Sequence, residues 1–276
     1  MAWVSSYKDH PLVPFLLEMA EVGKVVHGMR ASEGASGNIS IMIDEDVDPS
    51  PLFTEQIPIR LSIPFAKLVG KFVFATGSNC RLRRISLNPL HSVAFLEIIS
   101  DGSEAIMHLH KDHRFSKPTS ELKSHLMLHQ RAVEKGNQGF NAVLHAHPRF
   151  VKFISHIPEY QDEDYFNQEL MRWHPEMIVF MPEGIAFIPY QLTGSDRLMQ
   201  VTKDVIGEHK AIVWERHGLI TTSNQSLLAA LDLLEYVESA AFSEYLNKIA
   251  GKRAKKLTDP EVEEITSVFG LRTDLI

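Results

Sequence analysis

Two histidines one residue apart, His145 and His147, sit in the run F-N-A-V-L-H-A-H-P-R. Asn141 to Leu144 read as a buried strand, and Pro148 closes it ahead of a helix. Residues i and i+2 of a strand point to one face, so both imidazoles can converge on a single point. Neutral imidazoles at that spacing begin a zinc site, which needs at least three protein ligands. An isolated H-x-H is more simply explained as packing at a strand end, so the rest of the chain has to supply partners.

Two residues offer themselves. His217, in V-W-E-R-H-G-L-I, lies between two strand-like runs beside Gly218, where close backbone approach is easy. A turn histidine explains it equally well. Glu121, in K-P-T-S-E-L-K-S-H, reads as a first-turn glutamate with Thr119 or Ser120 as N-cap, its charge at the positive end of the helix dipole. Very many helices carry such a residue with no chemistry attached. Two glycine-containing loops could hold an anion. In E-G-A-S-G-N-I-S, Gly34 and Gly37 expose backbone N–H groups and Asn38 adds a side-chain donor. In F-A-T-G-S-N, Thr76, Gly77 and Ser78 supply hydroxyls and a free amide. With Thr119 and Ser120 they would form a phosphate cradle of neutral donors, although each loop alone is an ordinary turn.

Other histidines imitate the pattern. His108 and His110 repeat the H-x-H spacing, with His113 close behind. Glu121, His125 and His129 fall at i, i+4 and i+8 along one helix face. His108, His110, His125 and His129 are read as structural, the last two as a semi-buried helix stripe. The acidic run 161–164 and the basic run 252–256 read as solvated faces.

The elements that must position these residues follow from the apolar spacing. Pro14 to about Gly28 has helical periodicity, Asn38 to Ile43 alternates like a strand, and Asp44 to Ile57 reads as a solvated loop. Phe72 to Ala75 is a short strand. Val93 to Ser100 and Ala105 to His110 form a hairpin about Asp101-Gly102. Pro118 to about Val133 is helical, with further helices near Phe150 and Asp162. Met177 to Met181 and Ile185 to Pro189 read as two strands joined by Pro182-Glu183-Gly184. A helix from about Ser195 precedes strands at Ala211 to Glu215 and Leu219 to Thr222, and a long helix starts at Ser226. Helices mixed with hairpins imply an α/β fold whose central sheet is mixed or mainly antiparallel, with helices on its faces. No repeat or linker interrupts the 276 residues, so 1–276 reads as a single domain.

Composition narrows the partners. The net charge of −7 argues against nucleic acid, while anionic small molecules stay open because local donors decide their binding. The single cysteine, Cys80, allows no intramolecular disulfide and points to a reducing compartment. With no apolar leader in M-A-W-V-S-S-Y-K-D-H and no run of about 18 apolar residues, the expectation is a cytoplasmic protein without a membrane partner.

Taken in order, the segments S-G-N-I-S (36–40), F-A-T-G-S (74–78), K-P-T-S-E-L (117–122), H-A-H (145–147), M-I-V-F-M-P-E-G-I-A-F-I-P (177–189), G-S-D (194–196) and W-E-R-H-G (214–218) resemble one family. It is the class II, metal-dependent sugar-phosphate aldolase superfamily, which includes fuculose-phosphate aldolase, pentulose-phosphate 4-epimerase and adducin. The P-E-G-I-A-F-I-P stretch and the chain length favour its rhamnulose-phosphate aldolase branch. The resemblance implies a three-layer αβα fold with a central, mostly antiparallel sheet, and a homotetramer with sites at subunit interfaces. It implies Zn²⁺ or another divalent metal on His145, His147 and His217, and Glu121 as a catalytic carboxylate that also ligates the metal. Glu176 matches a second acid, contributed by a neighbouring subunit. Gly37, Asn38, Thr76, Gly77, Ser78, Thr119 and Ser120 match the phosphate positions. The branch usually reads N-G-G-N in the first loop, where this chain has Ala35 in place of the first Asn and Gly34 in place of the preceding Arg. The implied reaction is reversible cleavage of a ketose 1-phosphate to dihydroxyacetone phosphate and an aldehyde. The alternatives are a pentulose-phosphate 4-epimerase, a related lyase or dehydratase, and an adducin-like interaction module without catalysis.

Overall fold

The computed structural model describes residues 7–137, 139–205 and 208–273; part of the N-terminal segment read for a leader lies outside them. A nine-stranded open sheet forms the middle layer. Its strands are β1 (Asn38–Ile43), β2 (Glu55–Arg60), β3 (Phe72–Thr76), β4 (Val93–Ile99), β5 (Glu104–Leu109), β6 (Phe140–Ala146), β7 (Ile185–Ile188), β8 (Ala211–Trp214) and β9 (Gly218–Ser223). Their order is β2-β5-β4-β3-β1-β6-β9-β8-β7. Every pairing is antiparallel except β7 with β8. A parallel pair needs a crossover, and a helix at Asp196–Val205 supplies it.

Helices cover both faces. On one, α1 (Val13–Gly28) and the long α8 (Leu227–Ile249) join the smaller helices of the 149–180 region over a core that includes Phe74, Phe95, Leu144 and Leu234. On the other, α3 (Leu122–Glu134) and α7 (Asp196–Val205) close over Met42, Ala75, Val143 and Ile220. A β-sheet with two apolar faces needs both layers, and the alternation along β1 sends Ile39, Ile41 and Ile43 to the first core and Met42 to the second. The expected α/β sandwich with a mostly antiparallel sheet is what the chain adopts.

Three segments differ from the sequence reading. Glu55–Arg60, which overlaps the expected 44–57 loop, is an exposed edge strand paired with β5, where Pro58 is tolerated and no apolar alternation is required. Met177–Met181 is not a strand. Pro175–Phe180 forms a helix, α6, opened by Pro175 after an extended His174, and it buries Met177 and Ile178 while Phe180 faces outward. The start of α3 is also later than expected. Glu121 is itself the N-cap residue and the helix begins at Leu122, so Glu121 stands outside the first turn. A C-terminal helix at Asp259–Phe269 completes the first layer.

Candidate active site

β1 and β6 pair so that Asn38 lies opposite His145 and Ser40 opposite Val143. Paired residues share a face, and α3 runs along that face. The result is a buried polar seam with one contact per helical turn. Asn38 Nδ2 donates to Glu121 Oε2 (2.7 Å). One turn on, Ser40 Oγ bonds His125 Nδ1 (2.7 Å) and His129 Nε2 (2.7 Å), and Asn141 Nδ2 donates to His129 Nδ1 (2.9 Å). A neutral His129 that accepts at Nδ1 carries its proton on Nε2 and donates to Ser40, whose own hydrogen is left for His125. The seam therefore explains the helix stripe: His125 and His129 hold α3 onto β1 and β6, and burial keeps both uncharged, with His125 depressed to about 3.

At the upper end of the seam the histidine pair meets its partner. His145, on β6, and His147, just past it, point the same way, and the tight β8–β9 turn brings His217 to them. Their ring centroids form a nearly equilateral triangle: 5.1 Å from His145 to His147, 4.9 Å from His145 to His217 and 5.0 Å from His147 to His217. Gly218 makes the approach possible, since a Cβ there would stand 2.4 Å from the Ala146 carbonyl oxygen and 2.9 Å from both His145 and His147. Trp214 stacks under His217 at 5.1 Å and also flanks His145.

The Glu121 carboxylate faces this triangle, with Oε2 3.5 Å from His145 Nε2 and Oε1 3.5 Å from His217 Nε2. Burial raises the pKa of Glu121 against the Asn38 bond, which favours the ionised form. Burial lowers all three histidines; neighbouring histidines help push His145 well below its ordinary value and His217 to about 4, while Glu33 partly opposes the shift at His147. Three uncharged imidazoles crowded together are a poor packing arrangement and a good ligand set.

The donor atoms fit a metal. Among the described residues, His145, His147 and His217 are the group whose ligand atoms all lie within 4.8 Å of one another. His145 Nε2 and His217 Nδ1 are buried with no hydrogen-bond partner. His145 Nδ1 bonds the Leu219 carbonyl (3.1 Å), which commits its proton to that side and leaves the Nε2 lone pair unspent. Three nitrogen ligands with a carboxylate alongside suit Zn²⁺ and leave positions for substrate oxygens.

A cavity of about 190 Å³ opens over the triangle. Gly37, Asn38, Gly77 and Ser78 line one side, Thr119, Ser120 and Glu121 the other, with the three histidines at the base. Nearly all the residues singled out in the sequence therefore converge. Three do not line this cavity, the first being Gly34. Thr76 is buried beneath it, its hydroxyl accepting from Ile39 N (3.2 Å) and its carbonyl from Thr119 N (2.9 Å), so it supports the cradle from below. Glu176 is exposed on α6.

The free amide expected in the second loop is also absent. Gly77 N donates to Ser92 O (2.8 Å) and Ser78 N to Lys117 O (2.9 Å). What these segments offer an anion is the hydroxyls of Ser78, Thr119 and Ser120. Ser36, Asn79, Cys80 and Thr193 also line the cavity and had not been singled out; the first two were legible as polar residues within the chosen loops. Among the described residues no lysine or arginine lines it. Gly34 and Ala35 add no side-chain donor.

Glu33, missed entirely, touches His147 from behind. Its Oε1 lies 3.4 Å from His147 Nδ1 and also pairs with Lys152. Burial pushes this carboxyl up, but the Lys152 bond, a backbone hydrogen bond and the Lys152 charge outweigh it and hold it at about 2. The imitators stay apart: His108 faces Glu97 at 3.5 Å, and His110 Nδ1 accepts from the Asp112 N–H.

A histidine triangle able to hold a metal ion thus stands beside a buried carboxylate, in one cavity with a set of hydroxyls. Residues 17–245 match the family described as Class II Aldolase and Adducin N-terminal domain, and the chain belongs to that family. It is similar to a rhamnulose-1-phosphate aldolase of Bacteroides thetaiotaomicron, at 26% identity over 92% of this chain and 93% of the other. It is similar as well to a rhamnulose-1-phosphate aldolase of Listeria monocytogenes, at 27% identity over 96% of both. Among solved structures, a sugar-phosphate aldolase from Thermotoga maritima shares the fold with a TM-score of 0.75 at 23% identity, covering 88% of this chain and 98% of the other. An L-fuculose 1-phosphate aldolase does so with a TM-score of 0.62 at 19% identity, covering 95% and 99%. Among the described residues no helix is long and apolar enough to cross a membrane.

Proposed function

We propose that this chain is a zinc-dependent aldolase that reversibly cleaves a ketose 1-phosphate, with rhamnulose 1-phosphate as substrate, to dihydroxyacetone phosphate and an aldehyde. The observation that carries the reading is the Glu121 carboxylate held 3.5 Å from two histidines of the triangle, within one cavity with the three hydroxyls. The substrate class is supported by the curated relatives, which align over nearly the whole chain.

His145, His147 and His217 would hold the divalent ion, with Glu121 beside them; the ion supplies Lewis-acid polarisation of the ketose carbonyl. The residues of the chain do the rest. Ser78, Thr119 and Ser120 bind and orient the phosphate by hydroxyl donation, and so place the bond to be broken. Cleavage breaks the C3–C4 bond and leaves the electron pair on the three-carbon fragment. As the C4 hydroxyl loses its proton, Glu121, entering this step in its protonated form, delivers its own to C3, and exchange with solvent restores both acids. Asn38 keeps the Glu121 oxygen aimed. In the cleavage direction Glu176 would receive the C4 hydroxyl proton from a neighbouring subunit, which requires an oligomer, read here as a homotetramer. The whole chain acts as one cytoplasmic domain, without nucleic acid or membrane partners.

Purified protein is expected to release dihydroxyacetone phosphate from rhamnulose 1-phosphate, and Glu121→Ala to lower that rate by about 10²–10⁴-fold, the usual worth of a proton-transfer group. Epimerisation of ribulose 5-phosphate without release of fragments would replace this reading with the epimerase one. A protein that binds no zinc and acts on neither sugar would favour the adducin-like module.

A further inference from the structure

We propose that Glu33 is a positioning residue for the metal centre: it accepts the Nδ1 hydrogen of His147 and fixes the tautomer that turns Nε2 toward the ion. The inference rests on reading the histidine triangle as a metal site. His145 has a backbone acceptor for its Nδ1, the Leu219 carbonyl, built into the sheet. His147 lies past the end of β6, where the ladder offers no such carbonyl, and Glu33 takes its place from 114 residues away.

The carboxylate is anchored on three sides. Lys152, on the helix Arg149–Ile154 that follows His147 and Pro148, pairs with Oε1. Ser36 Oγ donates to Oε2 at 3.4 Å, and Ser36 N to the Glu33 carbonyl at 3.0 Å. His147 N donates to Ala31 O at 2.7 Å, pinning the same loop to the ligand's own backbone. A carboxylate on the far nitrogen of a metal-binding histidine sets ring orientation and raises ligand basicity, and its loss costs about 10–100-fold in metal affinity. The loop that carries Glu33 continues into Ser36 and Gly37 of the cavity wall, so one segment serves both the ligand and the pocket.

Glu33→Ala tests this. The Glu33 side chain is 56% exposed, so the substitution leaves the fold and the melting temperature of zinc-free protein essentially unchanged. Chelator competition should show zinc affinity reduced by about 10–100-fold. Imidazole ¹⁵N spectra of the zinc-free protein should show His147 passing from a single tautomer protonated at Nδ1 to a mixture. Wild-type zinc affinity in the variant, or an unchanged His147 tautomer, overturns the role of Glu33 alone. A wild-type protein that binds no zinc overturns the metal reading and this inference with it.

Discussion

Asn38 reaches across 83 positions of sequence to donate a 2.7 Å hydrogen bond to Glu121, and its side-chain oxygen Oδ1 is buried without a hydrogen-bond partner. The residue expected to bind phosphate therefore commits one of its two side-chain N–H donors to the carboxylate that faces the histidines. A bond to an ionised group is worth roughly 1.5–3 kcal/mol, about ten-fold or more in rate if it acts through Glu121.

Asn38→Ala should accordingly lower kcat for rhamnulose 1-phosphate cleavage about ten-fold while leaving KM nearly unchanged. Steady-state kinetics decide it: a rise in KM at constant kcat would make Asn38 a phosphate ligand instead.

Gly218 sits where the β8–β9 turn presses against both members of the H-x-H pair. Gly218→Ala forces a Cβ to within 2.4 Å of the Ala146 carbonyl, so the turn and His217 have to move. Overpacking of this kind costs about 1–3 kcal/mol. The expected outcome is a lower melting temperature together with at least a ten-fold loss of zinc affinity in chelator competition, whereas wild-type values for both would show that the turn tolerates the methyl.

The buried histidines set an acid limit. His125 and His129 are neutral in the fold, their pKa values pushed down by burial, His125 to about 3. The unfolded chain protonates them near 6.5, so their contribution to stability is complete above that pH and is lost as pH falls toward about 3. Thermal melting of the chelated protein should be flat from pH 8 to 7 and decline between pH 6.5 and 5. A melting temperature constant down to pH 5 would contradict the seam as described.

Much of this site was legible because its residues lie at strand and loop positions with short-range signatures. The H-x-H pair follows from period two, and the glycine of R-H-G marks close approach. What was not legible depended on tertiary partners. Met177–Met181 is apolar and partly β-branched, and only its packing against the C-terminal helix and α8 makes it helical, although Pro175 was a helix-start signal in plain view. Whether Thr76 faces the cavity or the Ile39 amide is decided by strand pairing. The stripe Glu121, His125, His129 was seen, but its division into a site residue and two structural ones depends on Asn38, Ser40 and Asn141 across the sheet. Glu33 carried no local signal at all.

The most direct measurement is release of dihydroxyacetone phosphate from rhamnulose 1-phosphate before chelation, after it, and after zinc is restored. Cleavage should disappear with the metal and return with it, since His145, His147 and His217 would then be doing what their geometry allows. Cleavage that continues unchanged in the chelated protein, or none at any stage, contradicts a zinc-dependent aldolase.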